Sequence, residues 1–274
     1  MTLTRKHGNI LTLLLAAAAA LAAAASCMAL APSAHARLIA GDDQFTCQAG
    51  GQITPFMRAH QATVLRTIVP YGQPSSEVAC ARTAAAEGYR VYVTLQYSNA
   101  WSTANVASYF RSTLPKYARY AWAVSVGNEQ DLFQARGGSG RSYRAVWNAV
   151  EPIIAGQAPH AIRVYGEVSP FGFAFLQTSF STGRPAGGQA IAFHCYNTTR
   201  GGLRAVPQVA AWAARWRLPL WCSEMSGALS HTQVHPWLVH DSQASWNALL
   251  SSVERRSPNL QMVSYYRWPA IGAL

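Results

Sequence analysis

Eight short apolar, β-branched runs, seven longer amphipathic stretches between them, and a chain of 274 residues predict an α/β fold. The expected architecture is a (β/α)8 barrel of the TIM type, a single compact domain lacking a full last helix. Parallel strands joined by helices produce that alternation, and a barrel of this kind needs about 250 residues.

The strand candidates in order are Leu38–Ala40, Val64–Val69, Arg90–Leu95, Ala121–Val126, Ile162–Tyr165, Ala190–Tyr196, Leu218–Ser223 and Met262–Tyr266. The first is the weakest, with only three residues. The helix candidates lie near Thr54–His60, Ser76–Glu87, Thr103–Tyr117, Tyr143–Ile154, Phe171–Ser179, Val206–Trp216 and Ser242–Arg256. Six residues follow Trp268, too few for a closing helix. No linker or repeat marks a second domain. The stretch Gly137-Gly138-Ser139-Gly140 reads as a flexible loop; it lacks the Lys-Ser/Thr pair of a phosphate loop.

Residues 1–36 read as an export signal: Arg5 and Lys6 lead an Ala/Leu run, and Ala34-His35-Ala36 offers a small-x-small cleavage site. The run from Ile10 to Ala31 would also suffice for an uncleaved membrane anchor, and a lipid on Cys27 is a weaker third reading. Residues 37–274 form the expected domain, on a secreted protein. The whole chain carries a formal charge of +11, and two of its basic residues lie in the signal. The excess is mostly Arg scattered singly, without a Lys/Arg run, so nucleic acid is not an expected partner. Four cysteines remain, Cys47, Cys80, Cys195 and Cys222, and an even number in an exported chain suggests disulfides. Of three possible pairings, Cys47 with Cys80 is favoured because both lie in early segments rich in turn-forming residues. Cys195 and Cys222 sit in apolar strand-like runs and fit buried thiols equally well. No cysteine has zinc-site spacing, and His231, His235 and His240, interrupted by Pro236, read as a loop without metal.

The chemistry-bearing residues concentrate at strand ends. Glu129 closes the run 121–129 and Glu224 closes the run 218–224. Two carboxylates at the same ends of two parallel strands can face one another and divide acid, base and nucleophile work. Around them the other strands deliver Arg66 and Tyr71, Gln96 and Tyr97, Asn128, Glu167, His194 and Tyr196, and Trp268. Asp42 and Asp43 follow the first strand as site-lining or turn-capping residues. For Glu167 a salt-bridging or capping role is favoured over substrate contact.

At Gly127-Asn128-Glu129, Ser223-Glu224, His194-Cys195-Tyr196 and Trp268 the chain resembles the retaining glycoside hydrolases of clan A, in particular small single-domain endo-β-glucanase-like members. The resemblance implies a glycosidase that needs no cofactor and takes a carbohydrate substrate. Glu224 would be the nucleophile and Glu129 the acid/base, with carboxyl groups about 5–5.5 Å apart. Glu224 would then raise the Glu129 pKa and keep it protonated for the first step. Asn128 would bind the sugar 2-hydroxyl, Arg66 would orient Glu224 from beneath, His194 and Tyr196 would position the carboxylates, and Trp268 would stack under a sugar ring. Trp101, Tyr71 and Trp237 are candidates for outer subsites. A non-catalytic carbohydrate-binding barrel and a transglycosylase are the competing readings.

Overall fold

The computed structural model describes residues 38–42, 47, 51–53, 57, 62–132, 138–196, 202–226, 248 and 251–267, of which 38–42, 226 and 265–267 are described by their backbone alone. Residues 1–36, Asp43, His231, His235, Trp237, His240 and Trp268 lie outside this set.

Eight parallel strands close into a barrel in sequence order: β1 Leu38–Asp42, β2 Val64–Val69, β3 Arg90–Leu95, β4 Ala121–Val126, β5 Ile162–Val168, β6 Ala190–His194, β7 Leu220–Ser226 and β8 Leu260–Arg267. The ring is completed by β1 against β8, from Leu38 opposite Met262 to Gly41 opposite Tyr265. Among the described residues the helices are α1 Val78–Ala86, α2 Thr103–Thr113, α3 Gly140–Gln157, α4 Phe173–Ser179 and α5 Val206–Arg215, and residues 251–255 are helical ahead of β8. A helix after β8 would involve residues 268–274, outside the described set. Among the described residues no helix is long and apolar enough to cross a membrane.

Side chains alternate across each strand, and the alternation divides the core in two. Outward residues such as Leu65, Val91, Val93, Val124, Tyr165, Ile191, Phe193, Leu220 and Val263 pack under the helices. Inward residues Val64, Tyr92, Ala123, Val164, Ala192, Trp221 and Met262 fill the barrel itself. Trp221 is the central plug: it stacks on Trp122 with ring centroids 5.2 Å apart and meets Tyr92 edge-on at 5.4 Å. Small residues at Ala123 and Ala192 leave room for it, as close packing requires.

The pairing register shifts between β3 and β4 and between β7 and β8 as well, but two irregularities each aim a glutamate. Opposite β6, β7 inserts one residue: Phe193 pairs with Cys222 but His194 pairs with Glu224, leaving Ser223 extra. Without this bulge Glu224 would follow Cys222 to the outer face; with it, Glu224 turns inward. On β5 the register skips Glu167 between Gly166 and Val168, and both Gly166 (φ 106°) and Glu167 (φ 60°) take left-handed backbone. The Glu167 side chain is thereby turned in as well.

Two disulfides are present, Cys47–Cys80 as expected and Cys195–Cys222 across β6 and β7. The second settles the choice left open between thiols and a bond. Each closes a loop of roughly thirty residues, which in the chain-entropy picture is worth about 3–4 kcal/mol.

The 137–140 stretch is corrected at its end. Gly140 opens α3, and Ser139 is its N-cap in a capping box: Ser139 Oγ accepts from the Ser142 amide at 3.1 Å, and Ser142 Oγ accepts from the Ser139 amide at 2.7 Å. Glycine at 140 is required by proximity, since a Cβ there would lie 2.4 Å from the Phe175 carbonyl oxygen.

Candidate active site

Six of the seven sequence-predicted site residues converge at the C-terminal mouth of the barrel: Arg66, Asn128, Glu129, His194, Tyr196 and Glu224. Trp268 lies outside the described residues.

Arg66 organises the floor. It comes from the middle of β2, is fully buried, and faces inward because it stands two residues from Val64. Its guanidinium donates from Nη1 to Glu224 Oε1 at 2.9 Å, from Nη2 to Asn128 Oδ1 at 2.9 Å, and to both oxygens of Glu167, Nε to Oε1 at 3.1 Å and Nη2 to Oε2 at 2.9 Å. A planar fork suits this multiple recognition as an ammonium would not. Tyr92, opposite Arg66 in register, donates its hydroxyl to Glu167 Oε1.

Above the floor, Tyr196 donates to Glu224 Oε2 at 2.5 Å, and His194 Nδ1 lies 2.9 Å from Glu129 Oε1 and 3.4 Å from Glu224 Oε2. One oxygen of Glu129, one of Glu224 and a ring nitrogen of His194 all fall within 4.8 Å of each other. That constellation has metal-ligand composition, but the Arg66 guanidinium bound to Glu224 supplies the cation the carboxylate would otherwise seek. Of the two glutamates, Glu129 is the open one, its side chain 26% exposed against 5% for Glu224.

Backbone geometry delivers Glu129. Gly127 (φ 81°) and Glu129 (φ 52°) are both left-handed, a conformation that costs a non-glycine residue energy unless its surroundings enforce it. The enforcement is visible. The Glu129 amide donates to the Glu167 carbonyl at 2.7 Å. Two residues on, buried Asp131 accepts from the amide and hydroxyl of Ser169 at 2.8 and 2.5 Å, tying the end of β4 to the end of β5. The Tyr143 hydroxyl, rising from α3, reaches Val126 O at 3.0 Å and accepts from the Gly166 amide at 2.9 Å. At Gly127 a Cβ would fall 2.7 Å from Gln130 Cγ and 2.9 Å from Tyr97 Cε1.

The charge state differs from the expected one. Burial pushes the Glu129 carboxyl up, but the hydrogen bond and charge of His194, helped by Arg66, outweigh it and leave the pKa below the ordinary value. Burial likewise pulls the His194 imidazole down, and the charges of Glu224 and Glu129 outweigh that, leaving it raised. Both directions favour the ion pair of His194 and Glu129 over the neutral pair. Against the expectation that Glu224 raises the Glu129 pKa, the His194 hydrogen bond at 2.9 Å and the His194 charge lower it.

Glu167 has the salt-bridging place favoured for it, and its full burial on Arg66 removes it from the rim. Tyr92, Asp131, Ser169 and Tyr143 were not singled out from sequence. For Tyr92 a signal existed: in Arg90-Val91-Tyr92-Val93-Thr94 the valines take one face and the polar residues the other. Asp131, Ser169 and Tyr143 act through contacts between segments far apart in sequence. At the periphery Tyr71 and Trp101 pack edge to face at 6.0 Å, with Tyr71 exposed.

No protein-family model matches the chain, and no curated protein sequence does either. Its fold is that of solved glycoside hydrolases. A modular endo-β-1,4-mannanase from Cellulomonas fimi superposes with a TM-score of 0.60 at 12% identity, over 85% of this chain and 64% of that one. A family 39 glycoside hydrolase from Bacteroides cellulosilyticus gives 0.63 at 14% identity, over 87% and 58%. The catalytic domain of a Thermobifida fusca endoglucanase in complex with cellotetraose gives 0.57 at 14%, over 88% and 81%. The chain thus spans less than two thirds of the first two neighbours.

Proposed function

We propose that this chain is an exported retaining glycoside hydrolase acting on a poly- or oligosaccharide, with Glu224 as nucleophile and Glu129 as acid/base. The observation that carries the reading is the closeness of the two carboxylates: an oxygen of each within 4.8 Å of the other accords with the separation of about 5–5.5 Å used in double displacement better than with the about 6.5–9.5 Å that makes room for water in an inverting site. Two disulfides and the leader-like residues 1–36 support export.

The chemistry follows from the contacts. Glu224, ionised on Arg66 and Tyr196, attacks the anomeric carbon while Glu129 protonates the departing oxygen; water, deprotonated by Glu129, then cleaves the glycosyl-enzyme. The pKa directions favour Glu129 ionised beside protonated His194, so its proton is to arrive along the hydrogen bond from His194 Nδ1 to Glu129 Oε1, 2.9 Å between the heavy atoms. A bound sugar drives that transfer, because excluding water disfavours an ion pair relative to the neutral pair. Asn128 turns its carbonyl to Arg66, so its amide N–H is the group presented to a sugar hydroxyl. Trp268 is retained as the stacking platform on the resemblance alone.

The endo-β-1,4-mannanase and endoglucanase neighbours make β-1,4-mannan and β-1,4-glucan the first substrates to screen, with β-1,3-glucan and xylan beside them. The parent should release reducing ends and Glu129→Gln/Glu224→Gln should release none; equal binding without cleavage by both would replace this reading with a carbohydrate-binding barrel. Glu224→Ala should lose turnover and recover release from an activated glycoside with azide, and an undiminished Glu224→Ala would remove Glu224 as nucleophile.

A further inference from the structure

Glu167 has no access to a sugar. It is fully buried beneath Arg66, holds two of the guanidinium's donors, and receives the Tyr92 hydroxyl on Oε1. A left-handed backbone and a β-bulge place it there. A mere counter-ion for Arg66 would be superfluous, because Glu224 already provides one at 2.9 Å. With both carboxylates ionised, Arg66, Glu167 and Glu224 together carry one net negative charge.

We infer that Glu167, held by Tyr92, is a positioning residue that divides the charge of Arg66 between two carboxylates and so keeps Glu224 nucleophilic rather than fully neutralised by its guanidinium partner. This rests on the glycosidase reading for its kinetic consequence but not for its electrostatic one. A guanidinium committed wholly to Glu224 would draw electron density from the attacking oxygen, slowing formation of the glycosyl-enzyme. Glu167 competes for the same cation and weakens that pull. The Tyr92 hydroxyl in turn moderates Glu167: burial and the neighbouring Glu167 charge raise the phenol pKa, so it remains a donor. The other titratable groups facing Glu224 among the described residues are Glu129 from the end of β4, and His194 and Tyr196 from β6 and its continuation.

The two ends of this chain of contacts predict opposite signs. Glu167→Gln keeps the shape and removes the competing charge, so the acid limb of kcat/KM against pH moves down by about one unit and kcat/KM at the optimum falls about tenfold, while hydrolysis of the glycosyl-enzyme does not slow. Tyr92→Phe frees the Glu167 charge and moves the acid limb up. A substrate-free measurement reads the same coupling in the full chain: the side-chain carboxyl 13C resonance lost in Glu224→Gln should titrate at lower pH in Glu167→Gln and at higher pH in Tyr92→Phe. Unmoved titration in both variants, with parental circular dichroism, overturns the inference. Shifted titration in a protein that cleaves no glycan would uphold the coupling and reject the glycosidase.

Discussion

At the scale of single residues the site is a set of compensated charges. Glu129 and His194 form a pair in which the carboxyl pKa is lowered and the imidazole pKa raised. A lowered carboxyl contributes stability that is present above its unfolded value and lost as pH falls through the folded one; a raised imidazole contributes stability present below its unfolded value and lost as pH rises through the folded one. The pair therefore stabilises the fold in the window between the two and weakens on both sides. Thermal melts across pH should show the parent's Tm exceeding that of His194→Gln within that window, with the gap narrowing at either edge; a gap independent of pH would mean that the proton is not on His194. Glu129 and Glu224 were legible in the sequence because an acidic residue ending an apolar run is conspicuous. The ionisation state was not, since it depends on which neighbour lies at 2.9 Å.

The elements show how ordinary strands are made to aim catalytic side chains. Backbone irregularity does it three times: at Gly127 and Glu129, at Gly166 and Glu167, and at Ser223 before Glu224. Gly127→Ala should cost about 1–3 kcal/mol, because the methyl group meets Gln130 and Tyr97 at a left-handed position, and it should lower kcat by displacing Glu129. Urea melts alongside activity would separate the two effects, and a neutral Gly127→Ala would refute the strained-turn account. The Cys195–Cys222 bond lies on the outer face at the β7 bulge, with the Cys195 amide bound to the Glu224 carbonyl at 2.7 Å. Cys195→Ala/Cys222→Ala should lower Tm by roughly 10 °C and reduce activity beyond the fraction unfolded. Strand positions 64–69, 90–95 and 121–126 match their sequence-based bounds to the residue; the other five differ, β6 stopping at His194, two residues short of Tyr196, while β5 and β7, whose bulges carry a glutamate, run on to Val168 and Ser226 past their apolar runs.

For the whole molecule the barrel depends on inward packing around Trp221. Trp221→Ala should cost about 3–5 kcal/mol, seen as a loss of Tm with the parental pH profile retained in the folded fraction; a cost under about 1 kcal/mol would mean that the interior collapses to fill the space. The sequence by itself determined the alternation of strands and helices, the closed eight-stranded order and the glutamates at strand ends, because periodicity, strand length and residue type are local properties. Tertiary structure alone decided that Cys195 bonds Cys222, that Glu167 turns beneath Arg66, that Tyr92 backs it, and that His194 comes to 2.9 Å from Glu129. Each of those depends on a bulge or left-handed residue that re-aims one side chain, and on distances between strands up to 158 residues apart in sequence, which no local pattern encodes.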